Sequence, residues 1–240
     1  MQCVVLAGGL GTRMSRLTRT IPKALIPVAG EPFLRRQLRV LEQAGIDDVV
    51  IATGYLGEMI EDEVRSYHGS MSVRCVPDGP ELLGTAGAIL RLLEMEALED
   101  QFMVTYGDSF LLVDYGAVWD DFDLGRFRAL MTVWRNDDEL DASNVVLDGD
   151  RVSLYRKGVA DPAAMGMLFV DFGLSILTAE VIADLVPAGR EYDLAFVFER
   201  LSIQSTLQGY LVADRFFEIG SVRGLADLEM HLSERHDEYR

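Results

Sequence analysis

Gly8-Gly9-Leu10-Gly11-Thr12-Arg13 sets three glycines, a hydroxyl and a guanidinium side by side near the amino end, and Arg16, Arg19 and Lys23 follow closely. Glycine lets backbone N–H groups come near phosphate oxygens and form an anion cradle. The surroundings point the same way. The chain has 39 acidic residues in 240, so its first 30 positions would hold about five in proportion, yet they hold none. A nucleoside triphosphate carries about four negative charges, and a nearby carboxylate would oppose it across low-dielectric space. The stretch fits neither common phosphate signature. G-x-G-x-x-G would need glycine at Met14, and Walker A needs Gly-Lys-Ser/Thr. A dinucleotide reader and a P-loop ATPase are therefore disfavoured. Arg13 and the Pro22-Lys23 pair carry the reading, whereas Arg16 and Arg19 read equally well as solvated. Arg35, Arg36 and Arg39 read as the wet face of a helix.

A cradle needs a strand to aim it, and Cys3–Leu6 reads as a buried strand running into the glycines. Beyond it the spacing predicts a helix over Phe33–Gln43, with Leu34, Leu38 and Leu41 on one face. Then come a strand at Asp48–Thr53, a helix at Glu58–Tyr67, a strand at Val73–Val76, a helix at Ala86–Leu98 and a strand at Phe102–Tyr106. This alternation predicts an α/β, Rossmann-like fold with a mostly parallel sheet and helices on both faces. Ligands in such sheets bind beyond the carboxyl ends of the strands. Later strands read at Ala129–Trp134, Asn144–Leu147, Val152–Tyr155 and Met167–Val170, the middle two joined by the hairpin signal Asp148-Gly149-Asp150. Helices near Ser175–Leu185 and Leu194–Leu201, a strand pair Gly209–Val212 with Arg215–Ile219, and a helix from about Val222 to Arg235 complete the pattern. The expected organisation is one domain over 1–240, with a nucleotide-binding half at 1–125 and a smaller mixed half at 126–240.

A formal net charge of −17 argues against nucleic acid, which needs a broad basic face. Cys3 and Cys75 offer neither a disulfide framework nor a metal spacing. The early apolar stretch is too short for a signal peptide, and no run reaches the roughly 20 residues a membrane span needs. A cytoplasmic protein with no membrane partner is expected, and the oligomeric state, a homo-oligomer included, stays open. The histidines (His68, His231, His236) read as structural.

Leu6-Ala7-Gly8-Gly9-Leu10-Gly11-Thr12-Arg13 with Pro22-Lys23-Ala24-Leu25-Ile26-Pro27-Val28 resembles the two-part signature of the sugar-1-phosphate nucleotidyltransferases. The likeness is strong through residue 110. It implies transfer of a nucleotidyl group from a nucleoside triphosphate to a sugar 1-phosphate, with release of pyrophosphate. It assigns catalysis to Arg13 and Lys23, and nucleotide binding to Leu6, Ala7, Gly8, Gly9, Gly11 and Thr12. Leu83-Gly84-Thr85-Ala86-Gly87-Ala88 resembles the family's base-recognition loop, adding Gly84 and Thr85; alone, it reads as a threonine-capped helix start.

Tyr106-Gly107-Asp108-Ser109 matches the family's Gly-Asp at the end of a central strand, where Gly107 meets nucleotide and Asp108 holds Mg²⁺. A carboxylate is a hard oxygen ligand of the kind Mg²⁺ prefers. Phe217-Glu218-Ile219-Gly220-Ser221 resembles a segment that usually reads Asp-Ile-Gly-Thr, so Glu218 is implied as a second metal ligand, one methylene longer. The sugar side departs further. Lys157 fits the family's sugar-phosphate lysine, but Arg156 stands where it has an acid and Asp171 where it has an asparagine. The base loop is most similar to guanylyltransferases acting on mannose or manno-heptose 1-phosphates, which makes GTP the expected nucleotide. Thymidylyl-, uridylyl- and cytidylyl- relatives share much of that loop. A catalytically silent nucleotide-sugar sensor is the rival reading, opposed by the retention of Arg13, Lys23 and Asp108.

Overall fold

The computed structural model describes residues 1–9, 19–79, 82–136 and 142–234. The chain divides into two compact units and passes between them more than once. The first is made of Met1–Leu82, Thr105–Phe110 and Phe216–Arg240, the second of Leu83–Val104 and Leu111–Arg215. The break expected near residue 125 falls inside the second unit, because strand pairing between distant segments decides the division.

In the first unit, strands Gln2–Ala7, Asp48–Thr53 and Ser72–Pro77 run parallel with Asp48–Thr53 in the middle. Their register sets Ala7 beside Thr53 and Thr53 beside Pro77, so all three end on one row. Val4, Val5, Val49, Val50 and Ile51 are fully buried, as continuous apolar runs in parallel strands require. Helix Phe33–Gln43 buries Phe33, Leu34, Gln37, Leu38 and Leu41, and keeps its arginines outward. Those arginines are held: Arg39 pairs with Glu31 at 3.0 Å and Arg36 Nε donates to the Val28 carbonyl at 3.0 Å. Helix Gly57–Arg65 and the final helix Val222–Glu234 belong to the same unit.

In the second unit, strand Ala129–Arg135 lies between Phe169–Thr178, antiparallel to it, and Leu207–Val212, parallel to it. Arg151–Tyr155 pairs antiparallel with Leu207–Val212 and with Val145–Asp148, closing the hairpin expected at Asp148-Gly149-Asp150. Gly149 there takes a φ of 62°, in the region that favours glycine. Helices Gly84–Glu94, Tyr115–Asp121, Ala179–Leu185 and Leu194–Ile203 complete the unit. Strand Gln101–Tyr106 starts in the second unit and ends in the first.

The α/β architecture is as the sequence predicts, with three differences in detail. Ser175–Thr178 is not helical but continues the strand Phe169–Thr178. Helix Ala179–Leu185 begins only where the Thr178 hydroxyl accepts from the Val181 N–H at 3.3 Å. The segment near 215–219 does not pair with Gly209–Val212. Phe217–Glu218 instead pairs antiparallel with Ser109–Phe110. The helix Tyr115–Asp121, capped by Asp114 accepting from the Ala117 N–H, has too short a period to be read from sequence.

Candidate active site

Within the first unit, Lys23, Asp108 and Glu218 converge although they are far apart in the chain. Lys23 sits in a single 3-10 turn, Lys23–Leu25, entered from Pro22 at φ −63°. Proline fixes that φ and directs the turn. Lys23 Nζ donates to Asp108 Oδ2 at 2.7 Å, both side chains about four-fifths buried. Asp108 follows the strand Gln101–Tyr106, and two hydrogen bonds hold the turn it stands on. The Gly107 N–H donates to the Leu6 carbonyl at 2.9 Å, and the Ile219 N–H donates to the Asp108 carbonyl at 2.9 Å. Gly107 suits this close approach: a Cβ there would lie 3.0 Å from Ala7 Cβ, a tight contact that Ala7 would have to yield to. The strand pair that places Glu218 opposite Ser109 brings the second acid to the first.

Gly220 completes the arrangement. A Cβ on it would stand 3.5 Å from Lys23 Nζ, 3.6 Å from Asp108 Oδ2 and 3.9 Å from Glu218 Oε2. One small space is thus bordered by an ammonium and two carboxylates. Two hard oxygen donors around such a space fit Mg²⁺, which keeps several waters and takes phosphate oxygens instead of filling its shell from protein. Among the described residues no cluster of three or more metal-ligating side chains occurs.

Leu6, Ala7, Gly8 and Gly9 lead out of the first strand at the same edge. Arg13, Gly11 and Thr12 lie outside the described residues. The scarcity of acids near the amino end does not persist in space, since Asp108 comes against Lys23 and Asp78 against Gly8. A Cβ on Gly8 would collide with Asp78 Oδ2. Both acids arrive through strand pairing, which sequence proximity does not report.

The second unit holds the remaining predicted residues. Gly84 has a φ of 70°, and a Cβ there would lie 2.6 Å from the Tyr192 carbonyl oxygen. The Thr85 hydroxyl accepts from the Leu194 N–H at 2.7 Å. Ala86 and Gly87 both donate N–H groups to the Tyr192 carbonyl, at 3.0 and 3.2 Å. The Gly-Thr pair therefore braces the start of helix Leu194–Ile203. Further along, half-buried Asp171 accepts from the Gly173 N–H at 3.0 Å, while its own N–H donates to Asn144 Oδ1 at 3.0 Å. Burial pushes the Asp171 carboxyl above the usual range, and the Lys157 ammonium, the Gly173 N–H and the Tyr155 hydroxyl act against that. Lys157 is thus near enough to Asp171 for its charge to act on that carboxyl.

Gln37, Gly220 and Asp78 escaped the sequence reading. Gln37 Nε2 donates to the Tyr106 carbonyl at 2.8 Å and the Ser109 carbonyl at 3.1 Å, which fixes the turn carrying Asp108. Its signal was present, since it is a polar residue on the helical face of Leu34, Leu38 and Leu41.

Residues 3–136 match the MobA-like NTP transferase domain. The chain belongs to that family. Among curated relatives, a UTP–glucose-1-phosphate uridylyltransferase of Synechocystis is 29% identical over 92% of this chain and 61% of its own length. A D-glycero-alpha-D-manno-heptose 1-phosphate guanylyltransferase of Aneurinibacillus thermoaerophilus is 36% identical over 48% of this chain and 49% of its own. The chain thus spans about half to three-fifths of the length of these relatives. HddC from Yersinia pseudotuberculosis, solved with GMP-PN, shares the fold at a TM-score of 0.79 and 22% identity, over 96% of this chain and 99% of that one. A UDP-glucose pyrophosphorylase from Acinetobacter shares it at 0.80 and 19% identity, over 99% and 95%. The matched span includes Lys23 and Asp108, while Lys157, Asp171 and Glu218 lie beyond it. Among the chain's described residues no helix is long and apolar enough to cross a membrane.

Proposed function

We propose that this NTP transferase moves a nucleotidyl group from a nucleoside triphosphate, GTP by preference, to a mannose- or manno-heptose-type sugar 1-phosphate, giving a nucleotide sugar and pyrophosphate. The observation that carries the reading is the Lys23 ammonium 2.7 Å from Asp108 Oδ2, at a space also bordered by Glu218 and left open by Gly220. Such a group of charges suits displacement at phosphorus, where positioning and neutralisation dominate the barrier.

A sugar-phosphate oxygen would bond to the α-phosphorus as the α–β anhydride bond breaks, its electron pair leaving on pyrophosphate. A phosphate monoester has a second pKa near 6, so the attacking oxygen is already mostly ionised at neutral pH and needs no general base. Lys23 stabilises charge between the α-phosphate and the incoming phosphate. The amides of Gly8 and Gly9, with Gly11, Thr12 and Arg13, receive the triphosphate tail. Asp108 and Glu218 would hold a Mg²⁺ ion, which when bound neutralises charge on phosphate oxygens. Gly107 keeps the Asp108 turn against Ala7. Gly84 and Thr85 are assigned to the nucleoside and Lys157 with Asp171 to the sugar phosphate.

Turnover with a panel of triphosphates and sugar 1-phosphates, read as pyrophosphate release, tests this. GTP with a mannose-type phosphate should be consumed fastest. Use of UTP or dTTP alone would refute the base. Binding of a nucleotide sugar with no pyrophosphate released under Mg²⁺ would replace the enzyme with a sensor.

A further inference from the structure

Gln37 is 4% exposed, set among Phe33, Leu34, Leu38 and Leu41 on the buried face of helix Phe33–Gln43. Its Nε2 donates to two carbonyls, Tyr106 at 2.8 Å and Ser109 at 3.1 Å, which stand on either side of Gly107-Asp108. Reversing the amide would set oxygen against oxygen, so its orientation is fixed. The Oε1 atom finds no hydrogen-bond partner among the described residues. A buried acceptor left unpaired is destabilising, and Met or Leu at this position would pack without that cost. Packing therefore does not account for the glutamine, whereas its donor end does.

The same helical turn grips the other half of the ion pair. The Phe33 N–H donates to the Ile26 carbonyl at 3.0 Å. Arg36 donates to the Val28 carbonyl at 3.0 Å and to the Ala29 carbonyl at 3.1 Å. Those carbonyls belong to the segment that leaves the Lys23–Leu25 turn. Residues 33–37 thus hold the Lys23 segment on one side and the Asp108 turn on the other. The 2.7 Å between Lys23 Nζ and Asp108 Oδ2 is referred to one rigid element, a more precise support than a loop. Such precision has a use. Mg²⁺ takes oxygen ligands only near 2.0–2.1 Å in octahedral geometry, and a carboxylate about 1 Å out of place fails it. The long Lys23 side chain could follow a shift of that size.

We propose that Gln37 is a positioning residue: through the Tyr106 and Ser109 carbonyls it sets the Asp108 carboxylate where that group can hold Mg²⁺ together with a triphosphate. This rests on the nucleotidyltransferase reading above. Gln37 touches neither nucleotide nor metal, and its whole effect passes through the backbone on either side of Asp108.

Calorimetric titration of the full chain with GTP, UTP, CTP and dTTP, each with Mg²⁺ and again with EDTA in its place, tests this without any turnover. The wild-type chain should bind its triphosphate more tightly with Mg²⁺. Gln37→Met fills the same space with no donor, and Gln37→Asn keeps the amide but draws it back by one methylene. Both variants should lose about tenfold or more of the Mg²⁺-dependent gain, while affinity for the metal-free triphosphate stays within about twofold. Their melting temperatures should stay within about 4 °C of wild type. An equal loss with and without Mg²⁺, or a collapsed melt in both variants, would make Gln37 a brace of the fold and overturn the proposal. So would a gain left intact in either variant, or a wild-type chain that gains nothing from Mg²⁺. Each of these leaves the nucleotidyltransferase reading standing, whereas failure of the wild-type chain to bind any triphosphate removes both.

Discussion

Gly220→Ala isolates the space among the charged groups from the groups themselves. Its φ is outside the left-handed region, so alanine is compatible with the backbone. The added methyl would meet Lys23 Nζ, Asp108 Oδ2 and Glu218 Oε2 at 3.5, 3.6 and 3.9 Å. These are ordinary contact distances, and the fold has nothing to rearrange. Replacing glycine where alanine fits stabilises by about 0.4–1 kcal/mol through the unfolded chain. For a chain of this size that is a rise in Tm of up to about 4 °C. Chemistry should respond in the opposite direction. Mg²⁺ demands oxygen ligands at about 2.0–2.1 Å and space for its waters, and the methyl occupies that space. A displacement of about 1 Å in a reacting assembly costs up to roughly 100-fold, equivalent to about 2.7 kcal/mol of barrier. Pyrophosphate release at saturating substrates, measured against Mg²⁺ concentration beside a thermal melt, separates the two effects. The expected result is a melt that holds or rises while the rate falls by one to two orders of magnitude. A variant with the wild-type rate and metal dependence would refute the use of this space.

Three further outcomes follow from particular contacts. Lys23→Ala should cut turnover by roughly 100-fold or more with the melt little changed, because it removes charge from the transition state; a near-full rate in steady-state assays would take Lys23 out of the mechanism. Asp171 has its carboxyl raised by burial, so as pH climbs from the usual carboxylate value through the raised one, the folded chain keeps a proton that the unfolded chain has lost. Its contribution to stability therefore falls across that window. Asp171→Asn should melt above wild type at neutral pH, with the gap closing as the buffer is taken below about pH 4; a lower neutral melt would mean that Lys157 outweighs burial. Thr85→Ala should cost about 1 kcal/mol by stranding the Leu194 N–H, a loss of about 2–4 °C that Thr85→Ser recovers, and an unchanged melt would deny the brace.

Helix Phe33–Gln43 and strand Asp48–Thr53 were legible to the residue, because periodicity and uninterrupted burial are local signals. Lys23 and Asp108 were singled out through short motifs on either side of those elements, and the structure brings the two side chains together. What was lost depended on pairing. Ser175–Thr178 reads as helix by composition, but its neighbour Ala129–Arg135 makes it strand. Phe217–Glu218 looked like the partner of the strand before it, whereas its partner Ser109–Phe110 lies about a hundred residues earlier. Asp78 follows the same rule. Its distance from Gly8 is set by three parallel strands ending together, and only the ends of the strands, taken as one edge, could have revealed it.

The two-residue pairing of Ser109–Phe110 with Phe217–Glu218 ties together segments more than a hundred positions apart. Closing so long a loop costs chain entropy, so this contact depends on the elements that bring its two ends together. Glu218 comes near Asp108 only when that docking is complete, and any change that frees the Phe217–Glu218 strand separates the two acids without touching either of them.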